Sequence, residues 1–133
     1  MFMLTMGTGM NLGFPDVCLT PAVAPVPTPY PNISMTSASA PVANTVLIDC
    51  MPVINLLSKG YVSNGDEAGT VGGVVSHLID GMTLYLVGCT TIIVDGAPAQ
   101  RLTSITGQNS AGMVSNAPGI CIAPSQVTVL ALG

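Results

Sequence analysis

Asn44-Thr-Val-Leu-Ile-Asp-Cys-Met-Pro-Val53 is the stretch that decides the fold, because it recurs as Thr90-Thr-Ile-Ile-Val-Asp-Gly-Ala-Pro-Ala99. In each copy a β-branched run ends in Asp, whose side chain can bond its own backbone two residues on. A proline then fixes φ where the chain leaves the turn. The pattern predicts a strand-and-turn unit that the chain uses twice.

A second, shorter motif also recurs, at a different spacing. Pro15-Asp-Val-Cys-Leu-Thr-Pro21 returns as Pro118-Gly-Ile-Cys-Ile-Ala-Pro124. Because the two motif pairs are offset by different numbers of residues, the chain is not a tandem solenoid. We expect a closed, pseudo-symmetric fold instead.

Glycine and proline punctuate the whole chain, with 15 and 11 copies in 133 residues. No window holds apolar residues at helical spacing without such a breaker. Short β-branched runs bounded by Gly, Pro, Asn or Asp predict strands instead. The predicted fold is all-β, a small single domain of short strands and tight turns. The predicted strands are 45–48, 71–77, 83–87, 90–94 and 127–132.

The segment 21–31 has prolines at every second position from Pro25 to Pro31. In an extended chain successive N–H groups point to opposite edges, so all the missing donors fall on one edge. This pattern predicts a one-sided edge strand or a polyproline II strap. A ligand for a proline-reading module is the less favoured alternative, because no Lys or Arg flanks the segment.

Charged residues are scarce, at 6% of the chain against about 25% in an ordinary globular protein. Lys59 and Arg101 are the only two Lys or Arg residues, which leaves almost nothing to neutralise phosphates and excludes a nucleic-acid partner. The adjacent Asp66 and Glu67 lie in a glycine-rich turn and suit turn hydrogen bonds better than acid–base catalysis. We do not expect an enzyme.

The length and the 49% share of hydrophobic residues suit one domain with one core, residues 1–133, with 1–10 as an N-terminal extension. No run reaches the roughly 18 uninterrupted apolar residues that a membrane helix needs. Residues 1–10 contain no Lys or Arg and do not resemble a Sec signal peptide. We therefore expect synthesis and folding in the cytoplasm.

The string Ile93-Val-Asp-Gly-Ala-Pro-Ala-Gln-Arg101 resembles the proline-alanine-alanine-arginine signature of PAAR proteins, the tips of type VI secretion spikes, with Gln100 in place of the second alanine. The chain is similar to the PAAR-like branch of that family over about residues 11 to 132. Five further motifs follow the order of that branch: Phe14-Pro-Asp-Val-Cys-Leu-Thr-Pro21, Pro27-Thr-Pro-Tyr-Pro-Asn-Ile33, Asn64-Gly-Asp-Glu-Ala-Gly69, Gly72-Gly-Val-Val-Ser76 and Ala123-Pro-Ser-Gln-Val-Thr-Val-Leu130.

This resemblance implies a small β-rich cone whose blunt face caps the trimeric VgrG spike, one tip per trimer, and whose point leads the spike through a target membrane. It implies a structural tip protein, made in the bacterial cytoplasm and exported into target cells on the spike, with transient contact with the target membrane. Two alternatives stay open. The chain could be an adaptor that loads a separate toxin effector onto VgrG, or a free-standing secreted β-domain that binds another ligand.

The candidate metal ligands are Cys18, Cys50, Cys89 and Cys121. PAAR proteins hold a zinc near the apex mainly through histidines, and this chain has one histidine, so the resemblance implies that thiolates supply most ligands. Four thiolates complete a tetrahedral zinc site, and His77 could replace one of them. Cys18 and Cys121 are favoured because they recur in matching motifs. Buried free thiols are the main alternative, and disulfides the lesser one.

Overall fold

The structure is a computed structural model and describes residues 1–131. Twelve strands and one short 3-10 helix, Thr36–Ala38, make up its regular structure. No helix among the described residues is long and apolar enough to cross a membrane. The strands are β1 (Met10–Thr20), β2 (Val26–Met35), β3 (Ser39–Ala40), β4 (Ala43–Ile48), β5 (Met51–Val53), β6 (Lys59–Gly60), β7 (Gly72–Gly73), β8 (Met82–Tyr85), β9 (Cys89–Val94), β10 (Ala97–Ala99), β11 (Ile105–Ser110) and β12 (Ala117–Ala123).

The prediction of a small all-β domain is confirmed. Three predicted strands, 45–48, 83–87 and 90–94, correspond to β4, β8 and β9. The strand predicted over 71–77 is wrong beyond β7, because the chain then turns through His77 at a φ of 60°. The strand predicted over 127–132 is correct only at Leu130, which forms an isolated bridge, and Leu132 lies outside the described residues.

The main sheet has the order β2-β1-β12-β11-β8-β6-β3, with β7 also paired to β1. The proline-rich β2 lies at its edge, as predicted for a one-sided edge strand. The backbone of Ile33 exchanges hydrogen bonds of 2.7 and 2.8 Å with Asn64 on the side away from β1. Odd-numbered residues of β2 therefore face outward, so Pro27, Pro29 and Pro31 leave that edge without donors and protect it from further strand pairing.

The first residues of the chain pack into the domain. Met3, Leu4 and Thr5 are buried, although the sequence predicts an N-terminal extension over 1–10. Their backbone joins two other segments, 53–55 and 99–101, in a closed ring, which we call the backbone ring. Leu4 N donates to Gln100 O at 2.9 Å, Gln100 N donates to Ile54 O at 3.0 Å, and Ile54 N donates to Leu4 O at 3.0 Å.

Further contacts also repeat cyclically around the backbone ring. Within each set of three equivalent contacts, every segment makes the same contact with the next segment. The ring therefore has pseudo-threefold symmetry. One set consists of the donations from Met6 N to Pro52 O, Leu56 N to Pro98 O and Leu102 N to Phe2 O, and another of the bridges Thr5 to Val53, Asn55 to Ala99 and Arg101 to Met3.

Each ring segment is paired with a strand of its own. Two of these pairs are the hairpins β4–β5 and β9–β10, which confirms the strand-and-turn unit predicted from the repeat. Both hairpins turn through two residues of positive φ, at 51° and 64° in Asp49 and Cys50 and at 53° and 82° in Asp95 and Gly96. This is the geometry of a type I′ turn.

The third pair joins the two ends of the chain. Ala131 N donates to Met1 O at 2.6 Å, and Leu130 is bridged to Phe2. The strand residues of the three units then align as Thr45-Val-Leu-Ile48, Thr91-Ile-Ile-Val94 and Thr128-Val-Leu-Ala131. The third copy is split between the chain ends, so a search for linear repeats does not reveal it.

The apolar core lies inside these three units. Equivalent positions fill it, with Met3, Val53 and Ala99 as one set and Ile48, Val94 and Ala131 as another. At the next position of the ring segments, Leu4 and Ile54 are matched by Gln100, which is fully buried. Neither polar atom of the Gln100 amide has a hydrogen-bond partner among the described residues.

Replacing Gln100 with Leu is expected to stabilise the protein, because it removes two buried polar atoms without partners. A buried group of this kind costs about 1–3 kcal/mol. We expect the free energy of unfolding, measured by urea denaturation, to increase by about 1 kcal/mol or more. Gln108→Leu is the matched control: its amide contacts Thr83 at 2.8 Å and Thr106 at 3.0 Å, so its loss should destabilise. Equal destabilisation by both substitutions would contradict the prediction.

Candidate functional site

Three potential metal ligands lie together far from the backbone ring. β1 starts near the ring, because Asn11 pairs with Cys121, which packs with Leu4 and Ile54. Across the bulge in β1, the β2 partners of Asn11 and Cys18 are six residues apart, about 20 Å along an extended strand. The side chains of Asp16, Cys18 and Asp66 are buried, and their ligand atoms all lie within 4.8 Å of one another. We call these three residues the distal cluster.

Hydrogen bonds connect the members of the distal cluster. The Cys18 thiol donates to Asp16 Oδ1 at 3.7 Å and to Asp66 Oδ2 at 3.6 Å. The backbone N–H of Asp80 donates to Asp66 Oδ1 at 3.1 Å. The thiol therefore lies between the two carboxyl groups.

Three asparagine amides surround Asp16. Asn32 Nδ2 donates to Asp16 Oδ2 at 3.0 Å. Asn109 Nδ2 donates to Asp16 Oδ1 at 3.3 Å and to Cys18 Sγ at 3.7 Å, and Asn116 Nδ2 also donates to Asp16 Oδ1. These donors fix the orientation of the Asp16 carboxylate.

Two glycines let a loop close over the distal cluster. A Cβ on Gly69 would overlap Cys18 Cβ, and a Cβ on Gly73 would overlap the Asn116 amide. Gly73 also pairs with Cys18 across β7 and β1. The glycine-rich stretch that follows Asp66 in the sequence is thus required for close packing against the thiol.

Burial controls the protonation of the distal cluster. Burial raises the pKa of Asp16, and a hydrogen bond with Asp66 raises it further. Burial also raises the pKa of Asp66. The pKa of the Cys18 thiol rises to about 12, because burial disfavours the thiolate and the charges of Asp16 and Asp66 add to this effect. In the metal-free protein the thiol is therefore protonated at neutral pH.

These shifts predict that the metal-free protein becomes less stable as the pH rises. The unfolded pKa of Asp is about 3.9, and the folded values of Asp16 and Asp66 are raised. The stability contributed by their protonated forms is fully present below about pH 4 and is lost as the pH rises through the folded pKa values. Urea denaturation between about pH 4 and 8, with a chelator present, measures this loss.

Asp66→Asn should reduce the dependence of the unfolding free energy on pH. Gln100→Leu is the control, because it alters stability without changing a titratable group. If Asp66→Asn kept the full pH dependence of the parent, the two buried carboxyl groups would not be its source.

The structure places the four predicted cysteine ligands in four different surroundings. Cys18 belongs to the distal cluster, and Cys50 is exposed in the turn between β4 and β5. Cys89 packs in the apolar core with Val53, and Cys121 packs with Tyr85 in a second apolar group. Cys121 is paired in register with Asn11, seven residues before Cys18 and, across the bulge, about 20 Å from it along β1. The four-cysteine zinc site stays a prediction, and these positions do not bring its members together.

The other predicted candidates also have defined positions. His77 is exposed in the loop after β7 and lies outside the groups of three or more potential metal ligands found among residues 1–131. Glu67 accepts a hydrogen bond of 2.9 Å from Gly65 N, which fits the turn role expected from the sequence. Asp66 is buried instead, and no local sequence pattern connects it to Asp16 and Cys18. The spacing of Asp16 and Cys18, which places both on one face of a strand, was the available signal.

A second feature surrounds the pseudo-threefold axis. In each unit an exposed aliphatic residue pairs with an apolar residue on the neighbouring strand, and we call the three pairs the apolar ring. The exposed members are Leu47, Ile93 and Leu130, with 59%, 58% and 51% of their surface accessible. The pairs are Leu47 with Pro52, Ile93 with Pro98 and Leu130 with Phe2.

Comparison with known proteins gives the family. The family model described as Toxin PAAR-like domain matches residues 9–115. The chain belongs to the Toxin PAAR-like domain family. The matched residues include the whole distal cluster and two of the three units of the apolar ring. The resemblance to PAAR-like proteins noted in the sequence is thereby confirmed.

A curated relative of this PAAR-like domain is the DNase toxin Tse7 of Pseudomonas aeruginosa, which is 32% identical over 114 residues. The match covers 79% of this chain and 29% of the relative. The chain thus spans less than a third of the length of that toxin. No solved structure matches.

Proposed function

We propose that this PAAR-like chain is a structural tip protein that caps the trimeric VgrG spike of a type VI secretion system, one tip per trimer. The apolar ring is the observation that carries the proposal. A single chain that presents three equivalent apolar pairs around one axis can make the same contact with each subunit of a threefold partner. Membership of the PAAR-like family supports the choice of VgrG as that partner.

The opposite end of the molecule suits the leading role in membrane puncture. Val74 N donates to Val17 O at 3.0 Å, which places the loop after β7 beside the distal end of β1. The exposed side chains Val74, Val75 and Leu78 make this loop apolar. Aliphatic groups enter a lipid layer at far lower cost than charged groups. On this proposal the chain is made in the cytoplasm and exported on the spike, with transient contact with the target membrane.

The proposal assigns no catalytic activity to this chain. A DNase must hold a polyphosphate backbone, and Lys59 and Arg101 are the only Lys or Arg residues that this chain offers for the purpose. Loss of a supercoiled plasmid on incubation with the purified chain, beyond that seen with a heat-denatured control, would contradict this assignment.

Docking through the apolar ring is tested by three single substitutions, Leu47→Asp, Ile93→Asp and Leu130→Asp. Each places an unpaired carboxylate in an apolar contact, which costs more than about 1.4 kcal/mol and so weakens binding at least about tenfold. Affinity for a purified VgrG trimer, measured by biolayer interferometry, is the readout.

Ile120→Asp is the matched control for these variants. Ile120 lies on β12, away from the apolar ring, and is exposed to a similar degree, 44%. It should retain parental affinity for the trimer. Loss of binding in Ile120→Asp, with normal binding in the three ring variants, would move the docking surface to the main sheet and overturn the proposal.

A second candidate function, an adaptor that loads a separate toxin effector onto VgrG, is favoured by one further observation. The outer face of β1, β11 and β12 carries an apolar groove of about 450 Å³. Its lining includes Phe14, Ile105, Ile120 and Ile122, all of them exposed. The family's association with toxins supports an effector as the occupant.

In a three-component pull-down, Ile120→Asp should then lose the effector and keep VgrG.

Zinc is the metal that the resemblance to PAAR proteins implies near the apex of the tip. We place it, on this proposal, at the distal end of β1, because a metal cross-link stabilises a segment with little apolar core. Cys18 is the predicted ligand that lies there.

A further inference from the structure

We propose that a cavity at the β6 side of the main sheet binds one aliphatic carboxylate, such as a free fatty acid. The cavity has a volume of about 290 Å³, close to the lower end of the roughly 300–1,000 Å³ of small-molecule sites. One cationic and five apolar side chains line it, and we call it the lysine pocket: Lys59 with Leu56, Leu57, Leu84, Leu86 and Met113. This inference does not depend on docking to a spike.

The main sheet provides the floor of the lysine pocket. Lys59 on β6 pairs in register with Leu84 on β8, so both side chains leave the same face of the sheet. Leu86 lies two residues after Leu84 and continues that face, since its N–H still donates to Ile105 O of β11 at 3.0 Å. Turns supply the walls, one before β6 and one between β11 and β12. Three separate parts of the chain thus converge on one cavity.

Much of the apolar lining of the lysine pocket is open to solvent. Leu57, Leu86 and Met113 are all exposed, with 62%, 50% and 84% of their surface accessible. Removal of apolar surface from water is favourable. A hydrocarbon chain laid on these three side chains would therefore gain affinity from each methylene group that it buries.

The hydroxyl groups beside the lysine pocket already have partners inside the domain. Ser58 Oγ donates to Pro41 O at 2.5 Å. Tyr85 is buried, and its hydroxyl accepts a hydrogen bond from Asn11 Nδ2 at 3.2 Å and shares one with Ser39 Oγ at 3.3 Å. A sugar or a nucleotide, which needs several hydrogen-bonding partners, would find a poor match in such a lining.

Lys59 supplies the charge that selects the head group of the ligand. Its ammonium has no hydrogen bond or ion pair within residues 1–131, and the residue is half-buried. A lysine stem can lie along apolar surface while its ammonium reaches a polar partner. A ligand carboxylate beside it would be partly shielded from water, where opposite charges attract more strongly than in bulk solvent.

A single lysine favours a carboxylate over a phosphate. A carboxylate carries one negative charge, which one ammonium balances. A phosphate monoester carries about 1.5 to 2 negative charges at neutral pH, and Arg101, the only other Lys or Arg residue, does not line the pocket. A peptide carboxylate is also a poorer match, because the peptide's backbone amides would be buried without partners among aliphatic side chains. The lining therefore favours a hydrocarbon tail with one carboxylate.

Octanoate is the probe, added to the full 133-residue chain below its micelle-forming concentration and followed by isothermal titration calorimetry. About one octanoate should bind per chain. Octan-1-ol, with the same tail and no charge, should bind at least about tenfold more weakly, since a hydrogen bond to a charged group is stronger than a neutral one. Acetate, with the charge and no tail, should not bind measurably. Equal affinity for octanoate and octan-1-ol would overturn the proposal.

Three variants locate the site. Lys59→Met should bind octanoate at least about tenfold more weakly but octan-1-ol as the parent does, a pattern that loss of folding would not give. Leu57→Asp should weaken the binding of both ligands. Ile120→Asp is the matched control, because Ile120 is exposed on the same sheet and lines the other groove. It should keep parental affinity for both ligands, and far-UV circular dichroism checks that all variants remain folded.

Three results with these ligands and variants would also overturn the proposal. One is a retained preference for octanoate in Lys59→Met, and another is loss of octanoate binding in Ile120→Asp. The third is tighter binding of an N-acetylated trileucine peptide with a free carboxylate, which would indicate a protein segment as the occupant. Loss of VgrG binding with intact octanoate binding would contradict only the capping role.

Discussion

The backbone ring is the interaction on which the rest of this structure depends. Its three hydrogen bonds join segments 3–5, 53–55 and 99–101, the first of them near one end of the chain, so each bond closes a long loop. Such closure is entropically costly, and the buried equivalents Met3, Val53 and Ala99 provide the apolar burial that offsets it. Once the ring is closed, each unit needs only a short strand to complete its pair.

The interior changes character along the main sheet. Inside the three units the buried side chains are mostly apolar, with Thr5, Asn55 and Gln100 as polar exceptions, whereas along β1 hydrogen-bonded polar groups predominate. Asn11 Nδ2 donates to Ser34 Oγ at 3.3 Å and to Tyr85 OH at 3.2 Å, and Thr83 Oγ1 donates to Gln108 Oε1 at 2.8 Å. Such a network specifies one arrangement most strongly when every member is satisfied. Here Asn11 Oδ1 has no hydrogen-bond partner among the described residues. The distal cluster continues it with ionisable groups, which need a proton or a cation as well as a partner.

Local sequence signals predicted the parts of the fold that local chemistry controls. The Asp-containing turns fixed the two hairpins, and the spacing of Pro27, Pro29 and Pro31 predicted an edge strand. The third unit could not be predicted in this way, because its strands belong to opposite chain ends. The distal cluster could not be predicted for a similar reason: Asp66 is far from Cys18 in sequence and lies in a glycine-rich stretch whose pattern predicts a turn followed by a strand.

If the chain docks on a threefold partner as proposed, the pseudo-threefold arrangement favours uncharged side chains at the exposed positions of the apolar ring. A homotrimeric partner presents three identical subunits around its axis. This single chain supplies three non-identical units to them. A charge on one unit would require a counter-charge on each of three identical partner subunits, and two of these would stay unpaired. Apolar side chains such as Leu47, Ile93 and Leu130 meet identical partners equally well despite differing in shape. On the proposed docking, neutral apolar contacts are therefore the chemistry by which a single asymmetric chain would match a threefold surface.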